Sequence, residues 1–507
     1  MSDLVPTNEQ RAIEEFTRTT SYSALIAALA GTGKTTTLLH VLRTLREAST
    51  IVLAFNTKIA DTMKARMPKM PRTRVAHTRT LHSAGLWITG AHFSHLKVDK
   101  ESTEKLVSRY AGSASLRVRG AASRLLKLVK DFQHQVDLDL DYAYLLAVEF
   151  ALFDKLEGQE AQQAVEIVER AYQASLQVTE RDGIDFSDMG WLPLVLDLEP
   201  PSRYRCVMLD EAQDVNPNQF ALVKKLLAPN GRIIAAGDLH QQIYGWRGAV
   251  GSDVWQEMRD TFGAMEMPLT VTWRCDEAIV KAANVYVPAL RARPGAGSGV
   301  EAEITEYGLY EALGVAQPDA GAVYVLSRNN AELLRVSLEL WKRGVPFNTT
   351  QGQDELGPLR AALRKVCKGP AADRIPEFLQ AVAAWHMTEM IKATAAGSAS
   401  WAERLEEQRL MMLYCAKYVS RPSDIERVLE GIFTWDPTCW ITLSTVHKAK
   451  GLEADHVYLL RETFPHFQDR KDADGNAIEV PEEETNVLYV AITRAKHALT
   501  WVSLERR

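Results

Sequence analysis

The sequence lacks the marks of several protein classes. Its five cysteines, Cys206, Cys275, Cys367, Cys415 and Cys439, are scattered, with no C-x-x-C pair. That argues against a zinc site or a disulfide framework and fits a reducing compartment. No apolar run approaches the ~20 residues that a membrane helix needs. The N-terminus "MSDLVPTNEQ" has no basic-then-apolar signal pattern. A cytoplasmic setting with no membrane partner is therefore expected. An excess of positive charge is also missing, with 59 Lys and Arg against 65 Asp and Glu and a formal charge of -6. Any polyanion must be held by local basic patches instead of the global field. The composition, 46% hydrophobic and 24% charged, is that of a globular protein. At 507 residues the chain is too long for one core, so roughly three or four domains are expected.

What is present begins with "SALIAALAGTGKTTTLLHVLRTL", which reads as a buried strand, a glycine turn and a helix. Gly31 and Gly33 let backbone N–H groups, with those of Ala30 and Thr32, point at phosphate oxygens, and the helix N-terminus adds positive potential. Lys34 can reach the β- and γ-phosphates, Thr35 can ligate Mg²⁺, and Thr36 continues the loop into the helix. The strict phosphate-loop pattern asks for glycine at position 28, where this chain has Ala28. The partner element is "RCVMLDEAQD", a buried strand ending in Asp210 and Glu211. Asp210 can hold Mg²⁺, and Glu211 can orient and deprotonate an attacking water. Alone, such a pair could simply cap a turn; with the loop at Lys34 it points to an ATPase using ATP and Mg²⁺.

Further motifs follow in order: "GDLHQQIYGWRGA" from Gly237, "TWRC" from Thr272, "TLSTVHKAKGLEADHVYLL" from Thr442 and "EEETNVLYVAITRAKHAL" from Glu482. With "AGTGKT" and "LDEAQD", the series resembles the UvrD/Rep/PcrA family of superfamily 1 DNA helicases. The wording of "AFNTKIAD" and "NVLYVAITRAK" is similar to the F-box DNA helicase branch, without an F-box segment. The resemblance implies a glutamine, Gln10, that reads adenine, and an aromatic, Trp273, that stacks on it. It implies two arginines, Arg274 and Arg494, that reach the γ-phosphate, and Gln241 as the link between that phosphate and the DNA. Glu453 is implied as the ribose contact. Relatives usually carry two arginines before "L-x-Y-V" in the last motif; here Thr485 and Asn486 stand there.

For DNA, the resemblance implies Phe55, with its neighbour Asn56, and Tyr244, Trp246 and Arg247 along the strand path. Thr80, His82 and Ser83 match a backbone-contacting motif, as does His447, with Lys448 beside it. Single-strand translocases need aromatic faces for bases and cations for phosphates, and a buried core role stays open for Trp246. Two basic tracts, 64–79 and 105–130, contain no acid; the second holds Lys105, Arg109, Arg117, Arg119, Arg124, Lys127 and Lys130. A solvated helical face is the competing explanation for them.

The motif order implies an α/β fold of two RecA-like P-loop domains around an ATP cleft, each interrupted by a mainly helical insertion. The expected pieces are 1–92 with 186–290 for the first domain and 291–352 with 436–507 for the second. The insertions are 93–185, which carries the basic tract, and 353–435. The stretch "RARPGAGSG" reads as a flexible linker, and "SDIE" at 423–426 as a capping box. The second insertion is much smaller than in relatives, and no room is expected for a C-terminal nuclease after Arg494. The leading function is a 3'→5' single-strand DNA translocase and helicase acting on tailed duplexes. The aromatics after "GD" resemble those of 3'→5' members, where the RecD-like group has "QLPP". A protein-stripping motor that needs a partner, docked through the helical insertions, is one alternative. A nucleotide-dependent binding switch is another. RNA stays open as substrate, as does the pathway, whether replication, repair, recombination or defence.

Overall fold

Runs such as "IVLA" at 51–54 are apolar at every position, which suits strands covered on both faces. The computed structural model describes residues 5–150, 152–153, 156, 158–243, 251–315, 321–350, 357–395, 399–433, 436, 438–468 and 479–505. In it the chain divides into two compact units, Met1–Thr270 and Val271–Arg507.

The first unit is built on β1 (Ala24–Ala28), β2 (Ser49–Ala54), β3 (Val75–Thr80), β4 (Tyr204–Asp210), β5 (Leu227–Gly237) and β6 (Met265–Leu269). They pair parallel throughout in the order β3-β2-β4-β5-β1-β6. Alternate side chains divide between two cores. Ile51, Leu53, Val207, Leu209 and Ile233 pack on one face, and Ile26, Val52, Met208 and Ile234 on the other. Because every strand runs the same way, all six carboxyl ends lie along one edge, where open α/β sheets bind ligands.

The second unit repeats the plan with β7 (Val300–Thr305), β8 (Val323–Ser327), β9 (Asn348–Thr349), β10 (Ile441–Thr445), β11 (Ala454–Leu460) and β12 (Ala495–Ser503). The order is β7-β12-β11-β8-β10-β9, again all parallel. The break between the units comes after Thr270, earlier than the expected end of the first domain at 290. β6 completes the first sheet beside β1, whereas Val271–Thr272 pairs with Arg291–Ala292. Within the second unit, Asp276 accepts from the Gly297 N–H (3.0 Å) and from His497 Nδ1 (2.8 Å). The stretch 291–299, expected as a flexible linker, is therefore held inside that unit.

Both sheets carry helical insertions. The first contains helices Ser102–Tyr110, Leu116–Phe132, Leu140–Glu149 and Gly158–Leu176 around a core that includes Leu125, Leu126, Val168 and Tyr172. Its two ends are stitched together where Lys97–Val98 pairs with Gly183–Ile184. The second contains helices Gly357–Val366, Ile375–Ala395, Ala399–Ala416 and Ile425–Ile432. Its core residues Leu363, Phe378 and Met412 meet Leu334 and Leu338 of helix Asn330–Lys342, so it is welded to the α/β unit. The capping box expected at 423–426 does not form. A 3-10 turn, Pro422–Asp424, precedes the helix, and its N-cap Asp424 makes no side-chain bond.

One buried ion cluster ties the first insertion together. The Asp188 carboxylate lies 2.7 Å from Lys130 Nζ with both side chains fully buried, and it also binds Arg181. Burial alone would raise the Asp188 pKa, but Lys130 and Arg181 together hold it below the ordinary range. A depressed carboxylate stabilises the fold above its unfolded pKa, and the contribution is lost as pH falls through the folded value. Asp188→Ala leaves two buried cations uncompensated and is expected to lower stability by about 3–5 kcal/mol. Urea denaturation at neutral pH, read beside the acid limb of the wild-type chain, checks this.

Candidate nucleotide site and nucleic-acid track

At the carboxyl end of β1 the chain turns through Gly31 (φ 69°) and Gly33 (φ 85°), both in the left-handed region that glycine tolerates. Helix Lys34–Thr44 then starts with Gly33 as its N-cap and no side-chain cap bond. Its first N–H groups are left for an anion. Thr32 Oγ1 donates to the Leu29 carbonyl (2.8 Å) and Thr37 N to the Gly33 carbonyl (2.8 Å), which fixes the loop from within. Gln10 caps its own helix with Thr7, and its Nε2 donates to Thr37 Oγ1 (3.1 Å), beside Gly33. Thr36 Oγ1 accepts from Arg66 (3.2 Å). Ala28, at the position where the strict pattern has glycine, is the buried last residue of β1.

β4 brings Asp210 and Glu211 to the same place. Thr35 Oγ1 donates to Asp210 Oδ2 (2.7 Å), and Lys34 Nζ stands 3.3 Å from Glu211 Oε2. Burial, with Glu211 adding to it, pushes the Asp210 carboxyl up to about 6. For Lys34, burial works to lower the pKa, but Glu211, Asp238 and Asp210 outweigh it and raise it. Glu211 itself has φ 55°, a conformation that costs a residue with a side chain on the order of 1 kcal/mol. A buried carboxylate and a hydroxyl in contact beside an uncapped helix start suit a hard cation that bridges to phosphate oxygens. The residues therefore fit Mg²⁺ with a nucleotide triphosphate.

β5 supplies a third set. Asp238 is buried just beyond its end and accepts from Gln241 Nε2 (2.6 Å). The sequence reading gave no role to Asp238 or to Gln213. Gln213 Nε2 donates to Glu211 Oε2 (2.7 Å), while its Oε1 accepts from Asp238 N (3.0 Å). A Cβ on Gly237 would lie 2.9 Å from that Oε1, so the glycine of "GD" makes room for the bridge. The available signal was an amide set between acids, just after a buried strand.

The second unit gathers its candidates at the amino ends of its strands. Arg274 Nε donates to Glu453 Oε2 (2.8 Å) and its Nη1 to the Thr493 carbonyl (3.1 Å). Burial works to raise the Glu453 carboxyl, yet Arg274 and Lys496 hold it below the usual range. Arg494 is 1% exposed and donates to the Val490 and Leu452 carbonyls (both 3.0 Å). Trp273 is half-buried beside Arg274. In place of the usual arginines, Thr485 contacts His466 Nε2 (3.2 Å) and Asn486 is buried. His447 and Lys448 lie elsewhere, beyond the carboxyl end of β10, where Lys448 donates to the Thr350 carbonyl (3.1 Å).

Phe55 and Asn56 follow β2, and Thr80 ends β3, so all three share the edge that holds Lys34. Asn56 and Thr80 each cap the next helix, accepting from Ile59 N (2.9 Å) and Ser83 N (3.1 Å). The His82 ring meets Phe186 edge-on at 5.4 Å, and burial lowers its pKa. Tyr244, Trp246 and Arg247 lie outside the described residues. Three of the seven cations of the basic tract 105–130 are paired with acids from outside it. Lys105 pairs with Asp99 (2.6 Å), Lys127 with Glu104 (2.6 Å) and Lys130 with Asp188. Arg119 is drawn onto the Ala114 and Gly112 carbonyls. For these residues the tract is a structural face of the insertion.

Two parallel α/β units, one with a glycine phosphate loop facing strand-end carboxylates, define a P-loop protein. The UvrD/REP helicase N-terminal domain matches residues 7–262 and the UvrD-like helicase C-terminal domain residues 436–506, and the chain belongs to this UvrD/REP helicase family. Among curated relatives it is 23% identical to F-box DNA helicase protein 1 of Schizosaccharomyces pombe, over 97% of this chain and 57% of that protein. It is 24% identical to F-box DNA helicase 1 of Gallus gallus, over 98% of this chain and 49% of that protein. Likeness to the ATP-dependent DNA helicase PcrA of Staphylococcus epidermidis is 24%, over 96% and 82%. The chain thus spans about half the length of the F-box relatives.

Gln213→Ala removes the amide that holds Glu211 and Asp238 together. We expect it to lower kcat for ATP by about tenfold, some 1.4 kcal/mol, while KM for ATP stays within roughly twofold. Steady-state ATPase measurements check it; a raised KM at unchanged kcat would assign Gln213 to nucleotide binding instead.

Proposed function

We propose that the chain is an ATP-dependent DNA helicase that moves 3'→5' on single-stranded DNA, with ATP hydrolysis stimulated by that strand. The observation that carries this is the shared edge of the first sheet. Candidate nucleotide residues follow β1, β4 and β5, and candidate strand contacts follow β2 and β3. In the sequence Tyr244 and Trp246 follow Gln241 within five positions, so a change at the triphosphate has a short covalent route to the candidate DNA contacts. Family membership supports the same reading, and we place the protein in the cytoplasm.

In this reading Lys34 neutralises the transferred phosphoryl group. Glu211, oriented by Gln213, positions the attacking water and accepts its proton. Thr35 and Asp210 would hold Mg²⁺, which when bound draws charge from the β- and γ-phosphate oxygens. Gln10 and Trp273 take the adenine and Glu453 the ribose. Arg274 and Arg494 supply positive charge as the phosphoryl group leaves. Phe55, Asn56, Thr80, His82, Tyr244, Trp246, Arg247, His447 and Lys448 line the strand path. The compact second insertion, sharing its core with helix Asn330–Lys342, favours one second reading: a translocase that strips proteins from DNA and unwinds poorly without a partner.

Lys34→Ala is expected to abolish turnover. Glu211→Gln should retain ATP but hydrolyse it very slowly, and near-normal turnover would remove Glu211 as the base. Trp246→Ala is expected to weaken single-strand binding by roughly 1–3 kcal/mol. With Mg²⁺ and ATP, a duplex bearing a 3' tail should be displaced and a 5'-tailed one should be a poor substrate. Efficient displacement of the 5'-tailed duplex alone would overturn the polarity. DNA-stimulated ATPase with neither duplex unwound would favour the stripping motor, and a matched RNA duplex tests the substrate class.

A further inference from the structure

The first helical insertion has a face that its own core does not cover. Helix Leu140–Glu149 buries Ala143, Leu146 and Ala147 against its neighbours. Its other side presents Tyr144, Leu145 and Val148 to solvent at 52%, 62% and 58% exposure. Positions 144 and 148, and 145 and 148, are neighbours at helical spacing, so the three form one patch. Val136, just before the helix, is exposed as well. Single exposed apolar residues need no explanation, but a contiguous cluster with a polar rim marks an interaction site.

The rim decides what kind of partner fits. Asp137, Asp139, Asp141 and Glu149 are all exposed around the patch. Lys155 is the one basic residue in the sequence between 136 and 169. The acidic field reaches the patch: burial, then Glu149 and Asp139, push the neighbouring Tyr142 phenol above its ordinary pKa. Such a surface repels a phosphate backbone and an anionic lipid face alike. It complements a cationic protein segment that carries apolar anchors.

We propose that this face docks a partner protein through a basic amphipathic helix. The partner's apolar stripe covers Tyr144, Leu145 and Val148, and its Lys and Arg residues reach Asp137, Asp141 and Glu149. The partner is read by its i, i+3, i+4 apolar anchors, with charge setting specificity. None of these residues belongs to the nucleotide or strand candidates, so the inference stands apart from the motor reading.

The test uses the full chain and a fluorescein-labelled synthetic peptide with Leu and Lys at amphipathic helical spacing, read by fluorescence anisotropy. A matched peptide with Glu in place of Lys is the control. The basic peptide is expected to bind, and added salt should weaken it. The double variant Tyr144→Ser/Leu145→Ser should weaken binding about tenfold through lost apolar contact. Asp141→Asn/Glu149→Gln should do so through lost charge, with single-strand-stimulated ATPase unchanged in both. All four positions are exposed, and unchanged denaturation midpoints verify that the variants fold. Equal binding by the variants, equal binding of the Glu peptide, or no saturable binding up to about 100 μM would overturn the proposal. So would self-association of the chain that the Tyr144→Ser/Leu145→Ser change abolishes, because the occupant would then be a second copy.

Discussion

The nucleotide site of the first unit is organised around one largely buried ammonium. Lys34 emerges at the start of a helix and is surrounded by the carboxylates of Glu211, Asp238 and Asp210. Burying a cation is costly unless anions accompany it. Burying the anions is equally costly, which is why Asp210 and Asp238 are both pushed above the ordinary carboxylate range. The cluster holds together because three adjacent parallel strands, β5 flanked by β1 and β4, end at the same level: Ala27 pairs with Gly237, and Asp210 with Ala236. Everything else at that edge follows from this levelling. The glycine at 237 admits Gln213, Gln213 orients Glu211, and Glu211 adopts a backbone conformation that most residues avoid. A site of opposed buried charges held in strained geometry is organised for a substrate that brings its own charge.

The second unit uses the same sheet plan for a different electrostatic end. Its arginines are fully engaged by the unit's own atoms: Arg274 by Glu453 and the Thr493 carbonyl, Arg494 by backbone carbonyls. Guanidinium groups held on carbonyls keep their charge while giving up rotamer freedom. The carbonyls that direct them belong to Val490 in the last turn of helix Glu482–Ile492, to Thr493 just after it and to Leu452 just before β11. Lys496 shares Glu453 with Arg274, so one carboxylate restrains two cations at once.

Most of the architecture could be read from the sequence because its signals are local. A continuous apolar run, a glycine turn and helical leucine spacing determine β1 and the following helix without reference to anything distant. The two-domain α/β class came from the motif order and the resemblance it carries, and strands such as β2, apolar on both faces, agree with it. What escaped reading was non-local. No local pattern says that β6 closes one sheet and that Val271–Thr272 joins the other unit, so the boundary was set too late. That three cations of the tract 105–130 are paired was not legible either, because the acids that pair with them, Asp99, Glu104 and Asp188, lie outside it in sequence. At the site, residue types at motif positions were legible, whereas the bridge through Gln213 was not. Its meaning depends on two strand ends meeting, and an amide among acids is ambiguous until they do. The SDIE box failed for a smaller reason: Pro422 starts a tighter turn just ahead of it.

The first insertion leaves the sheet and returns to it through a parallel clasp, Lys97–Val98 against Gly183–Ile184, with Ser102 Oγ donating to the Gly183 carbonyl (2.8 Å), and it is fastened again farther out by Lys130 on Asp188 and by Asn218 Nδ2 on the Lys130 and Gln133 carbonyls (2.7 and 2.9 Å). Closing a long excursion at its own base leaves the α/β sheet with only a short connection to span. Because the entropy of a closed loop grows only slowly with its length, the part of the excursion away from those contacts, around helix Leu140–Glu149, can lengthen or shorten at little cost to the domain that hosts it. Evolution can therefore vary that outer part more freely than helix Leu116–Phe132, which carries Lys130 to Asp188. A lineage acquiring a new partner would be expected to alter the surface beyond the clasp long before it alters the loop at Lys34.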